Sequence, residues 1–192
     1  GKSFIQDLGF RYQLQNEDFN SIGYYDLFSN KFGEIMLLYI GAMGHESSNI
    51  RLAISTDNGE NFEFINGNPL GDAGLNAMGQ ENRDPRVTNL KNGTLKLFTM
   101  VQGDVGAPIA GKRALGFIHS FTSKDGGHSW VEDEGVKLAS ETIQEIDVWS
   151  LNDPHVIELQ DGRLRMYVTA LIQEKNSNEE MYKEVIISAT TK

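Results

Sequence analysis

Two stretches of the chain, Ser55-Thr56-Asp57-Asn58-Gly59-Glu60-Asn61-Phe62 and Ser123-Lys124-Asp125-Gly126-Gly127-His128-Ser129-Trp130, share one skeleton, Ser-x-Asp-x-Gly-x-x-aromatic. Their aspartates stand 68 residues apart. A turn written twice at a long interval marks a chain built from repeated units, and repeats constrain a fold more than any local propensity. The residue types fit a tight turn. A carboxylate can accept backbone N–H groups, glycine supplies a left-handed backbone, and an aromatic ring packs beneath.

A second motif keeps nearly the same interval. Arg83-Asp84-Pro85-Arg86-Val87 precedes NLKNGTLKLFTM, and Asn152-Asp153-Pro154-His155-Val156 precedes ELQDGRLRMYVT, with Asp84 and Asp153 69 residues apart. A degenerate earlier copy without the proline is Tyr25-Asp26-Leu27-Phe28, followed by NKFGEIMLLYIG. Each unit therefore opens with an Asp-led strand. A glycine turn and an alternating strand such as Thr94 to Met100 follow, then a strand into the Ser-x-Asp-x-Gly turn and a last strand. Alternation is the period of a half-buried strand, and no segment carries a capped helical period. The reading is all-β, with about four strands per unit and units near 20–66, 80–140 and 150–192. The last unit is incomplete: Val185 to Lys192 matches Phe117 to Lys124, and the first nineteen residues match none of the units.

Composition removes several classes of function. Asp and Glu number 27 against 17 Lys and Arg, a formal net charge of -10. That balance opposes nucleic-acid and anionic-membrane partners, which want clustered cations. Cysteine is absent, which excludes thiolate and zinc-thiolate chemistry. No run of about eighteen apolar residues exists, so no membrane-spanning helix is expected. His45-Glu46 lacks the second histidine of a zinc helix motif. The Asp57 and Asp125 turns lack the ligand series of a calcium loop. No metal or cofactor is expected.

The Ser-x-Asp-x-Gly-x-x-Trp turn resembles the Asp-box, or BNR repeat, of sialidase-like β-propellers, with Phe62 standing for the tryptophan in the first copy. The resemblance implies a hairpin between the third and fourth strands of a blade. The Asp-Pro units look like first strands of blades in glycoside-hydrolase propellers, where acidic residues at the innermost strands face the sugar site. Arg83-Asp84-Pro85 also resembles the Arg-Asp-Pro motif of invertase-like five-bladed hydrolases. The resemblance implies about three four-stranded blades of a ring that closes with five or six. The arginine triad, Tyr-Glu pair and early Arg-Ile-Pro motif of active sialidases have no counterpart here.

On this reading Asp84, Asp153 and Asp26 are candidate catalytic carboxylates, because glycosidases use paired acids. The alternative is that each caps its loop, with proline fixing the strand entry. Arg83 and Arg86 are candidate clamps for a substrate, or partners of Asp84 and Glu81. His155 could donate to a sugar hydroxyl or be a satisfied surface histidine. Glu145 and Asp147 could reach the channel with Trp149 as a stacking platform. The alternative is an acidic solvated loop with Trp149 in the core. Three functions follow: a glycan-hydrolysing enzyme of exo-sialidase-like type, a carbohydrate-binding module, or an interaction module. In the last, two copies complete a six-bladed ring, because three blades leave faces and edges uncovered.

Overall fold

A computed structural model describes residues 3–19, 21–42, 49–71, 81–102, 116–144, 146–176 and 179–192. The described chain is all-β apart from short 3₁₀ segments such as Asn16–Asp18 and Ser140–Thr142. Three antiparallel sheets follow one another along the sequence. Sheet I holds β1 (Ile22–Ser29), β2 (Ile35–Gly41), β3 (Asn49–Ser55) and β4 (Glu63–Ile65) in that order. Sheet II holds β5 (Glu81–Asn89), β6 (Leu95–Gln102), β7 (Gly116–Ser123) and β8 (Val131–Glu132), with β9 (Leu138–Ala139) also paired to β7. Sheet III holds β10 (Val148–Glu158), β11 (Leu164–Asn176) and β12 (Glu179–Thr190).

The sheets stack face to face, and the residue pattern shows why. In β6, Leu95 and Leu97 join Met36, Leu38, Phe121 and Trp130 in the core between sheets I and II. Phe98 and Met100, out of phase with them, join Met166, Val168 and Ala170 between sheets II and III. A strand covered on both faces needs apolar residues in both phases, which is why β6 reads Leu-Lys-Leu-Phe-Thr-Met-Val.

The far face of sheet I is covered by the chain before it. Tyr12 and Leu14 pack on Leu37, Tyr39 and Ala53. The fully buried Asp18 lies 2.9 Å from Arg51 Nε and accepts from Tyr39 Oη at 3.1 Å and from the Gln15 N–H at 2.9 Å. The Arg51 contact is ionic and poorly aligned, so neither Asp18 Oδ1 nor Arg51 Nε has a true hydrogen-bond partner. Gly41 permits this approach, because a Cβ there would collide with Asp18 Oδ1 and Arg51 Nε.

Both Asp turns fold as their residue types dictate. Ser55 Oγ donates to Asp57 Oδ1 at 2.7 Å, and the N–H groups of Gly59 and Asn61 donate to Ser55 Oγ and Asp57 Oδ1 at 2.9 Å each. In the second turn Ser123 Oγ donates to Asp125 at 2.8 Å, and the N–H groups of Gly127 and Ser129 donate at 2.8 and 3.1 Å. Gly59 and Gly127 take φ of 87° and 97°. Hydrogen bonds from Ser55 and Asn61 hold the Asp57 carboxyl down at about 2. Asp125 is also held at about 2, where bonds from Ser129 and Ser123 outweigh the opposing effect of burial. Trp130 closes its turn from below and donates Nε1–H to Gly127 O at 3.1 Å.

Candidate active site

The three first strands β1, β5 and β10 lie side by side, and each carries a bulge. The register slips between Ile22 and Tyr25, between Arg83 and Arg86, and between Asn152 and His155. In β5 and β10 the slip falls on Asp-Pro. Asp84 and Asp153 take left-handed backbone, φ 51° and 50°. A non-glycine residue held there is strained, and a bulge re-aims its side chain out of the strand's alternation. Proline suits the bulge because its position needs no ladder N–H.

Strand register also fixes which residues are equivalent. Asp26 pairs with Leu38, Arg86 with Phe98, and His155 with Tyr167, each the same distance from its hairpin glycine. Asp26 is thus the counterpart of Arg86 and His155, and Tyr24 is the counterpart of Asp84 and Asp153. The apparent motif match of Asp26 to the other two aspartates is corrected by the ladder. Tyr24 and Tyr25, both about half exposed, were not singled out by sequence. Their position on the first strand was the available signal.

The carboxylates differ sharply in environment. Asp84 is buried at 2% exposure. Its Oδ2 accepts the Asp153 N–H at 3.2 Å, and its Oδ1 has no hydrogen-bond partner. Burial raises this carboxyl to about 6; the Asp153 N–H opposes the rise, the Asp153 charge adds to it, and Arg86 and Arg83 oppose it. Asp26 is half-buried and also raised, chiefly by burial, against the Val87 N–H, Arg86, the Leu27 N–H and His155. Its Oδ2 accepts the Val87 N–H at 2.7 Å. Asp153 and His155 are exposed. Arg86 donates to Tyr25 O at 2.8 Å, which carries its guanidinium across to sheet I.

Asp26, Asp84, Asp153, Arg83, Arg86 and His155 therefore form one constellation, each within electrostatic reach of another across three sheets. Asp147 is half-buried just before β10. Glu145, with His45 and Glu46, lies outside the described residues. Trp149 does not present a stacking face. It is 7% exposed and packs edge-on against Tyr182, ring centroids 4.9 Å apart. Among the described residues no group of three or more acidic or histidine side chains could hold a metal ion. What the constellation can do is move a proton: it holds one carboxyl kept partly protonated near neutrality beside exposed carboxylate and cationic groups.

No family model matches the chain, and no curated protein sequence matches it. Solved structures do. An endo-arabinase from Bacteroides thetaiotaomicron matches at a TM-score of 0.54 and 14% identity over 89% of this chain and 57% of that one. An α-L-arabinanase of Penicillium chrysogenum, complexed with arabinobiose, matches at 0.55 and 15% over 78% and 44%. An α-L-arabinofuranosidase of Fusarium graminearum, classed GH93 and also with arabinobiose, matches at 0.56 and 13% over 79% and 44%. The chain spans about half the length of such structures. At these identities the likeness concerns fold: the stacked sheets follow the β-propeller of glycoside hydrolases.

Proposed function

We propose that the chain forms part of a glycan-hydrolysing propeller whose first strands carry the reacting carboxylates, with Asp84 as proton donor. The observation that carries this reading is the Asp84 carboxyl, buried, raised to about 6 and left with one unpartnered oxygen, on a strained bulge. A general acid must hold its proton at working pH and release it as the leaving oxygen develops charge. Asp153 or Asp26 serves as the second carboxylate, activating water or attacking the anomeric carbon according to their separation. Arg86, Arg83 and His155 hold hydroxyl groups around the reacting ring. A neutral pentose glycan of the kind seen in the matching arabinanases is favoured over a sialoside, because no arginine triad for a carboxylate is recognisable. The two Asp turns supply sialidase-type hairpins in the first two blades and take no part in the chemistry.

The test is hydrolysis of arabino-oligosaccharides and aryl α-L-arabinofuranosides by the full chain. Turnover that falls as pH rises past about 6, and that drops about a hundredfold or more in Asp84→Asn with oligosaccharide binding retained, supports the reading. Turnover indifferent to Asp84→Asn sinks it. Binding without turnover leaves the scaffold as a carbohydrate-binding module.

A further inference from the structure

Sheet II ties its strands with side-chain polar links in two places where another sheet carries apolar residues. The outer link is Lys96 with Asp133, Nζ to Oδ2 2.8 Å, joined by Ser120 and Thr122. It binds β6 and β7 to the chain just after β8. Sheet I has Met36, Leu52 and Ile54 at those positions, with Ile65 opposite them. The inner link is Asn82 with Thr99. Thr99 Oγ1 donates to Asn82 Oδ1 at 2.7 Å, and the two residues are 2% and 0% exposed.

The inner link sits at the Asp84 bulge. Arg83 pairs with Met100 and Arg86 with Phe98, so Asp84 and Pro85 together face the single residue Thr99. Asn82 pairs with Val101, on the near side of the slip. The Thr99–Asn82 bond therefore crosses from β6 to β5 where the backbone ladder is about to break. Sheet III has the same Asp-Pro bulge and no such bond. There Leu151, paired with Ala170, takes the place of Asn82, and Val168, facing Asp153 and Pro154, takes that of Thr99. Both are buried hydrocarbon, so the bulge itself does not require a polar pair.

The carboxyl does. Asp84 is held at φ 51°, its Oδ2 accepts one backbone bond of 3.2 Å, and its Oδ1 accepts none. A bond already that long is lost when the bulge shifts by a few tenths of an ångström. Apolar contact between strands is non-directional, whereas a buried hydrogen bond fixes distance and direction and is costly to break. Asn and Thr in place of Leu and Val gain nothing in burial. Their worth lies in the geometry they fix.

We propose that Thr99 and Asn82 are positioning residues for Asp84: their hydrogen bond staples β6 to β5 at the bulge and keeps the carboxyl seated beneath β10. The kinetic consequence rests on the reading of Asp84 as proton donor; the seating itself does not.

The test installs the sheet III pair, Asn82→Leu with Thr99→Val. Removing both partners together leaves neither orphaned, and apolar residues already fill these positions in sheet III, so the double variant folds. Carboxyl NMR over a pH series then reads Asp84. The charged groups facing it, Arg83 and Arg86 on its own strand and Asp153 on β10, are unchanged. The acid dissociation constant of Asp84 rises about tenfold as water reaches it. Thr99→Ser, which keeps the hydroxyl, stays at the wild-type midpoint. Turnover of poorly activated arabinosides falls about tenfold in kcat with KM little changed, and the pH at which turnover declines moves down with the titration. A pair that only stabilised the fold would lower the denaturation midpoint and leave the Asp84 titration in place, and that result overturns the proposal. A moved titration in samples that hydrolyse no glycoside keeps the seating and sinks the glycosidase reading. Turnover with an unmoved titration does the reverse.

Discussion

Asp84 and Asp153 occupy the same bulge, precede the same proline and share φ within a degree, yet one is buried and raised to about 6 while the other is exposed. The difference lies outside both motifs. The next sheet in line lays its first strand against Asp84, taking away water and supplying a backbone N–H and a second negative charge. Asp26 shows an intermediate case, half-buried against Val87 of the sheet that follows it. The environment of Asp84 is therefore set by the neighbouring sheet, and one local sequence yields carboxyl groups in different surroundings.

The largest expected effect separates the two residues kinetically. With Asp84 as acid, Asp84→Asn lowers kcat on poorly activated glycosides by a factor of about 10² to 10⁴, and by much less on aryl glycosides whose leaving groups need no proton. Asp153→Asn shows no such dependence on the leaving group. Equal leaving-group sensitivity in both would erase the distinction.

The next effect is on stability. Asp84 keeps its proton to about 6 in the folded chain, whereas the unfolded carboxyl loses it near 4. Between those values the folded state binds more protons, so stability falls as pH rises, by about 3 kcal/mol in all, and is level above the window. Chemical denaturation at a series of pH values reads this slope. Most of it is lost in Asp84→Asn, where Asp26 keeps a share, and most of it persists in Asp153→Asn. A slope as steep in Asp84→Asn as in wild type contradicts the burial argument.

A smaller effect probes what presses sheet III onto Asp84. Thr88 Oγ1 donates to Val156 O at 2.7 Å across the two first strands. Thr88→Val removes that bond at a cost of about 1 kcal/mol in unfolding free energy and loosens the burial of Asp84, moving its titration toward the ordinary carboxylate range in NMR. An unmoved Asp84 would show that packing alone sets its environment.

Much of this architecture is legible in the residues. The Asp turns and the Asp-Pro strand starts gave the strands, because turn geometry is a local property, whereas β6 read as a half-buried alternation and is covered on both faces. Three things were not local. The equivalence of Asp26 with Arg86 and His155 needs the ladder register, since Asp26 stands two residues further along its strand than Asp84 and Asp153 do along theirs. The burial of Asp84 depends on β10, which is distant in sequence. Trp149 alternates in a strand whose inward face the sequence alone does not mark.

The Lys96–Asp133 pair has a further consequence for how repeats avoid confusion. Sheets of similar shape in one chain invite a fourth strand to settle on the wrong edge. Placed against Met36, Leu52 and Ile54, the strand bearing Asp133 would bury a lone carboxylate among hydrocarbon, a large penalty. Placed against Lys96, Ser120 and Thr122, the strand bearing Ile65 would strand an ammonium group without its counter-charge. The ion pair thus acts as an address label, favouring each edge strand on its own sheet.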